Sequence, residues 1–112
     1  MDISPEDAKL VTLARTSRAR TNAEHGAAVR DQDGRTYVAS TVVLPSIRID
    51  ALDLAVAMAV SSGATGIEAG ALVGEMMPEP LVSGTAVRDV SGHGIHVYLA
   101  DPSGQVVRVR TT

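Results

Sequence analysis

Two histidines offer the first candidate for chemistry in this chain. His93 and His96 are three residues apart, and such a pair can begin a metal site. A third ligand would have to come from far away in the sequence, from His25 or Glu75. We favour the simpler interpretation, one turn histidine and one strand histidine. The chain has no cysteine, which excludes disulfides, thiol nucleophiles and thiolate metal ligands.

Two aspartates open the segment 49–60, which is apolar almost all round. A helix without a polar face must be buried on most sides, so any chemistry should lie at its N-terminal end. There the Asp50 carboxylate could bind zinc or magnesium. We favour helix capping by Asp50, with Asp53 three residues on, because exposed N–H groups and the helix dipole attract acidic side chains.

The composition is that of a single globular domain, 1–112, with a core of small aliphatic side chains. Hydrophobic residues make up 45% of the chain, but only two residues are aromatic. The formal net charge of −3 argues against nucleic acid as the main partner. No apolar run approaches the roughly 18 residues of a membrane span, and the acidic start lacks the basic residues of a secretion signal. We therefore expect a cytoplasmic protein that does not contact membranes.

Turn and cap signals divide the chain into alternating helices and strands. Ser4 and Pro5 predict the start of a helix that runs to about Arg20. Asp33-Gly34 predicts a hairpin between strands at 26–31 and 35–43. The remaining predicted elements are a helix ending at 61–63, a strand at 67–74, a weak helix at 81–90, and strands at 96–100 and 105–110. The order αββαβαββ predicts an α/β sandwich with a five-stranded mixed sheet.

Three stretches, with a shorter fourth, give the chain a family resemblance. They are Asn22-Ala23-Glu24-His25-Gly26-Ala27-Ala28-Val29, the turn Asp33-Gly34-Arg35, the segment from Ile49 to Gly63, and Tyr98-Leu99-Ala100-Asp101-Pro102-Ser103-Gly104. Together they resemble the small homo-oligomeric cytidine deaminases. The resemblance implies the three-layer-type α/β sandwich of that family.

The resemblance also implies where catalytic groups would stand. The family holds zinc with one Cys or His at a helix start and a Cys-x-x-Cys at the next, and a glutamate shuttles protons. The first ligand falls on Asp50, the glutamate on Leu52, and the cysteine pair near 80–84 or 78–80. Leucine cannot transfer a proton. We therefore expect a degenerate family member that is not an enzyme and holds no metal or cofactor.

The family's ribose-binding Asn-x-Glu falls on Thr41-Val42-Val43, which offers no equivalent grip. We also expect no counterpart of the C-terminal segment that carries a lid aromatic in the family. The candidates for a vestigial ligand pocket are Asn22, Thr41, Val43 and Asp50.

Three functions follow as hypotheses. The first is a catalytically inactive, homo-oligomeric binding or scaffold module, a dimer or a tetramer, with a possible protein partner. The second is binding of a nucleoside or another small ligand in the vestigial pocket. The third, which we rank last, is active deamination of a nucleoside. The loop 75–81, rich in methionine, could be core filler or a surface for a partner, since methionine adapts to varied contacts.

Overall fold

A five-stranded mixed sheet lies between one helix on one face and two helices on the other, in a computed structural model that describes residues 3–75 and 84–112. The elements are α1 (Pro5–Thr21), β1 (His25–Asp31), β2 (Thr36–Ser40), β3 (Val42–Val43), β4 (Arg48–Ile49), α2 (Ala51–Ser61), β5 (Ile67–Gly74), α3 (Thr85–Ser91), β6 (His96–Ala100) and β7 (Val106–Thr111). The strand order is β2-β1-β5-β6-β7, with only β5 and β6 parallel. The predicted fold class is confirmed.

Local signals fix the ends of α1 and the first hairpin. The Ser4 hydroxyl accepts a hydrogen bond from the Asp7 N–H at 3.1 Å, and Asn22 closes the helix in the left-handed conformation. Gly34, with φ of 83°, makes the predicted hairpin turn. The fully buried Asp31 carboxylate accepts hydrogen bonds within this turn from the N–H groups of Asp33 and Arg35 and from the Tyr37 hydroxyl. Burial alone would raise the pKa of Asp31, but these hydrogen bonds lower it.

The predicted strand 35–43 is wrong in its second half. β2 ends at Ser40, and the chain then forms a separate two-stranded ladder in which Val42 pairs with Ile49 and Val43 with Arg48. The physical reason is the tight turn after Val43, where the Leu44 N–H donates to the Ile47 carbonyl at 2.8 Å. This β3–β4 hairpin leads directly into α2 and so positions its N-terminus.

The sheet separates two cores because neighbouring residues of β1 point to opposite faces. Ala27 and Val29 pack with α2 and α3, whereas Ala28 packs with α1. The predicted burial of α2 is confirmed for one side of the helix, where Ala51, Leu52, Ala55, Val56 and Ala59 are buried. The weak helix expected at 81–90 exists from Thr85, and residues 81–83 lie outside the described residues.

A polar network within the α1 side joins the helix to three strands. The Arg30 guanidinium donates to Asp7 Oδ1 at 2.8 Å and to Glu68 Oε1 at 2.9 Å. The Tyr98 hydroxyl donates to Asp7 Oδ2 at 2.6 Å. Burial and then this hydrogen bond raise the pKa of Tyr98 from 10.0 to about 12. The phenol therefore stays protonated at physiological pH and donates its hydrogen bond to Asp7.

Replacing Tyr98 with phenylalanine should remove a stabilising contribution that depends on alkaline pH. Because the folded-state pKa lies above the ordinary value, this contribution is complete below pH 10.0 and is lost as the pH rises towards about 12. We expect Tyr98→Phe to lower the free energy of unfolding by about 1.5–3 kcal/mol at neutral pH, the value of a hydrogen bond to a charged group. Urea unfolding of both proteins checks this. A difference that is unchanged at the upper end of that pH range would contradict it.

Candidate functional site

The N-terminus of α2 carries an exposed ion pair. Asp50 is the N-cap residue of α2 by its backbone, but its side chain makes no capping hydrogen bond. The prediction that the Asp50 carboxylate caps the helix is therefore wrong. Its Oδ1 instead lies 3.6 Å from Nη2 of Arg48, because alternate residues of an extended segment share one side.

The ion pair continues through Glu24 to the start of β1. The same Arg48 Nη2 lies 3.3 Å from Glu24 Oε2, and Glu24 Oε1 lies 3.6 Å from Nδ1 of His25. The His25 side chain is buried, and its Nε2 is 3.0 Å from the Glu75 carbonyl oxygen. Asp50, Arg48, Glu24 and His25 thus form one line of polar groups, which we call the α2-terminal network.

Two acidic groups lie at the start of α2, Asp50 at the N-cap and Asp53 in the first turn. Partial desolvation of the Asp53 carboxyl, followed by the negative charge of Asp50, raises the pKa of Asp53. The N-terminus of α2 therefore carries two acidic side chains. Among the described residues, only Arg48 forms an ion pair with either of them.

Leu52 lies on the inner side of the same turn. It is 3% exposed and belongs to the apolar core between α2 and the sheet. Its Cδ1 would lie 3.7 Å from a Cβ added to Gly70, so the leucine methyl fills the space over that glycine. Position 52 is therefore a packed position of the hydrophobic core.

The four candidate pocket residues are only partly brought together. The Thr41 hydroxyl accepts a hydrogen bond from the His25 N–H at 3.1 Å, which places it beside the α2-terminal network that contains Asp50. Val43 is 64% exposed and pairs with Arg48 across the hairpin. Asn22 is the exposed C-cap of α1, where its backbone N–H bonds to the Arg18 carbonyl. The chain order did not reveal Glu24 and Arg48 as members of this site.

The possible metal site around the histidine pair is contradicted by the strand register. His96 pairs with Ala69 near the start of β5, whereas His25 pairs with Gly74 at its end. Those two positions are five residue steps apart, which is about 16 Å of strand. His93 and His96 instead lie beside the C-terminal end of β7. His93 Nδ1 lies 3.2 Å from the Thr112 carbonyl oxygen, and His96 Nδ1 lies 3.0 Å from the Thr111 hydroxyl.

The donor set at α2 does not fit the zinc that the resemblance implies. The chain has no cysteine, Asp50 is engaged with Arg48, and Gly84 before α3 has no side chain. Across residues 3–75 and 84–112, no three acidic or histidine side chains are placed to hold a metal ion. The other positions matched to the cysteine pair, like most of the methionine-rich loop, lie outside the described residues.

Comparisons with known proteins identify the fold over nearly the whole chain. Residues 3–104 match the family model described as cytidine deaminase-like. The cytidine deaminase from Burkholderia pseudomallei is 21% identical with a TM-score of 0.73, over 98% of this chain and 92% of that one. The enzymes from Mycobacterium leprae and Mycobacterium tuberculosis are 17% and 21% identical, with TM-scores of 0.67 and 0.64. Both alignments cover 98% of this chain. They cover 94% of the Mycobacterium leprae chain and 91% of the Mycobacterium tuberculosis chain. No curated protein sequence matches the chain.

These matches contradict the prediction that the chain is not an enzyme. That prediction rested on the absent cysteines and on Leu52, whereas the family match extends over residues 3–104 and the matched structures are those of cytidine deaminases. The solved structures that share this fold are those of enzymes. Separately, within the described part of the chain no helix has the length and hydrophobicity to cross a bilayer.

Proposed function

Because the chain belongs to the cytidine deaminase-like family, we propose that it works as a self-associating binding module of this fold. The observation that carries the proposal is the outward side of α2. The residues there are Asp53, Leu54, Ala57, Met58, Val60 and Ser61, with Asp53 the one charged group. A surface helix normally presents polar and charged residues to solvent. An apolar outward side favours contact with another protein surface.

The β3–β4 hairpin extends the apolar character of this part of the chain. Val43, Leu44 and Ile47 are 64%, 57% and 47% exposed, and Val60 on α2 is 49% exposed. Of the six large hydrophobic side chains that are exposed among the described residues, five lie on the hairpin or on α2. Clustered exposed apolar groups typically mark interaction sites, whereas single ones need no explanation.

A second copy of the same chain is the partner that this surface suits. In a two-fold symmetric dimer each residue set meets its own copy, so charged surfaces repel one another and uncharged ones do not. The α2 outward side has one carboxylate at its first turn and none further along. A groove of about 390 Å³ beside Met58, lined also by Tyr37 and Leu54, could receive a side chain from the partner copy.

Single glutamate substitutions on α2 should weaken this association. Val60→Glu or Met58→Glu would bury a carboxylate in the dimer contact, and each is expected to raise the dimer dissociation constant by more than about tenfold. Glutamate is a good helix former, so the fold should be retained. Light scattering coupled to size-exclusion chromatography measures the mass, and circular dichroism confirms the fold.

Val107→Glu is the matched control. Val107 is 63% exposed but lies on β7, away from α2 and the hairpin. The control should keep the mass of the unaltered protein. If all three variants keep the mass of the unaltered protein, or if all three dissociate to the same extent, α2 does not form the contact.

Nucleoside binding at the α2-terminal network is a second candidate function. One observation favours it: the Asp50 carboxylate does not cap α2, and with Arg48 and Glu24 it presents half-exposed charged groups beside Thr41. Such groups can bond the hydroxyl groups and ring edges of a nucleoside.

A thermal shift screen tests this second candidate. We expect one of cytidine, uridine, adenosine or guanosine to raise the melting temperature by several degrees, because a ligand that binds only the folded state stabilises it. Asp50→Asn should abolish the shift, and Asp33→Asn in the distant hairpin turn should not. The absence of a shift with every nucleoside at millimolar concentration would remove the candidate.

A further inference from the structure

The second half of α1 carries three arginines that no described carboxylate neutralises. Arg30, Arg35 and Arg48 each form an ion pair with an acidic side chain. Within residues 3–75 and 84–112, Arg18 forms no ion pair but donates to the Glu24 carbonyl oxygen at 3.0 Å, and no ion pair is formed by Arg15 or Arg20. Basic residues near a helix C-terminus stabilise the helix dipole, which accounts for a positive charge there. It does not account for the groove that Arg15 and Arg20 line.

The groove lies between α1 and the turn that joins β6 to β7. It has a volume of about 510 Å³ and is lined by Arg15, Thr16, Ala19, Arg20 and Pro102, which we call the arginine groove. Residues four apart on a helix lie one above the other, so Arg15 with Ala19 and Thr16 with Arg20 form two adjacent rows.

Arg15 is exposed, but its stem packs against the turn between β6 and β7. A Cβ added to Gly104 would lie 2.9 Å from Arg15 Cδ and 3.4 Å from its Nε, so the arginine stem passes directly over this glycine. Gly104 has φ of 91°, which also favours glycine. A side chain whose stem is already packed loses less conformational entropy when it binds a ligand.

The one carboxylate of the adjoining turn is engaged elsewhere. Asp101 Oδ1 accepts hydrogen bonds from the N–H groups of Ser103 and Gln105, at 2.9 Å and 3.1 Å, and from the Ser103 hydroxyl. Asp101 therefore stabilises its own turn and forms no ion pair with Arg15 or Arg20. The arginine groove keeps a positive charge although the chain is acidic overall.

We propose that the arginine groove binds a phosphate monoester, with Arg15 and Arg20 on the phosphate oxygens and the Thr16 hydroxyl as a further donor. The planar guanidinium fork matches phosphate oxygens, and such charge-assisted hydrogen bonds are the strong ones. The groove lies on the α1 side of the sheet, opposite the α2 surface proposed for self-association. Its function is therefore independent of that proposal.

Calorimetric titration at constant ionic strength tests this inference with three probes. Ribose 5-phosphate and inorganic phosphate are compared with uncharged ribose. We expect saturable binding of ribose 5-phosphate and none of ribose; inorganic phosphate binding as tightly would assign the affinity to the phosphate group alone. Arg20→Gln should weaken binding by about tenfold, and the double variant with Arg15→Gln by more.

Arg88→Gln is the matched control, because Arg88 is an exposed arginine on α3 without an ion pair among the described residues. It should bind ribose 5-phosphate as the unaltered protein does. A purely structural role for the arginines would lower the melting temperature without ligand and leave the titration unchanged. That result, or no saturable binding by the unaltered protein, would overturn the proposal.

Discussion

Replacing Leu52 with glutamate is expected to destabilise the protein more than any other single change considered. Leu52 is 3% exposed within an apolar core of small aliphatic side chains. Losing a buried leucine side chain costs about 2–5 kcal/mol, and burying an unpaired carboxylate adds several kcal/mol. A domain of this size is stable by only about 5–15 kcal/mol. We therefore expect Leu52→Glu to be largely unfolded at neutral pH by circular dichroism.

Leu52→Met serves as the control for this substitution. It conserves volume without introducing charge, and it should cost less than about 1.5 kcal/mol in the free energy of unfolding. If Leu52→Glu folds with undiminished stability, the first turn of α2 must offer solvent or a cation to that carboxylate, and the packed description of the site is wrong.

Replacing Gly26 with alanine should have the second largest effect. An added Cβ would collide with the backbone carbonyl oxygen of Ala14 and lie 3.0 Å from both Cβ and N of Arg18. These atoms belong mainly to the α1 backbone, which cannot rotate away as a flexible side chain can. Relief requires moving α1 off the sheet, at a cost of about 3 kcal/mol or more. Urea unfolding measures the change.

Gly66→Ala is the matched control for Gly26→Ala. The nearest atoms to a Cβ at Gly66 are Gln32 Cβ and Ser91 Oγ, both at an ordinary contact distance of 3.7 Å. Alanine there should alter the free energy of unfolding by no more than about 1 kcal/mol, since it also restricts the unfolded chain. Equal effects at both positions would mean that the close approach of α1 to β1 is not what requires Gly26.

Elements defined by local signals could be predicted from the sequence. Ser4 and Pro5 start α1, and Asp33-Gly34 forms the hairpin turn, because each signal acts within a few residues. The break between β2 and β3 was missed for a related reason. Residues 35–43 have continuous strand character, and the pairing of Val42 with Ile49 depends on a turn whose Leu44–Ile47 hydrogen bond leaves no distinctive pattern.

The candidate site, in contrast, depends on contacts between residues that are far apart in the chain. The sequence predicts that α2 starts at position 50, but it does not predict which residue contacts the Asp50 carboxylate. The contact between Arg48 and Glu24 joins residues far apart in the chain, and it forms only because the β3–β4 hairpin folds back beside the start of β1. Capping was the expectation because it needs no information beyond the helix itself.

The prediction against enzymatic identity failed because it weighed two positions above the whole chain. The absent cysteines and Leu52 are facts of the sequence, but the family match extends over residues 3–104, where small residues, strands and turns recur. Gly26, Ala27 and Ala28 illustrate that pattern, since their small side chains let helices pack closely on both faces of β1.

Sedimentation velocity of the unaltered protein tests self-association most directly. The chain has a mass of 11.6 kDa, and the apolar outward side of α2 predicts a species of two or four times that mass at tens of micromolar. Dilution should return it towards the monomer, with Val60→Glu monomeric throughout. A single 11.6 kDa species at every concentration would contradict the proposed self-association.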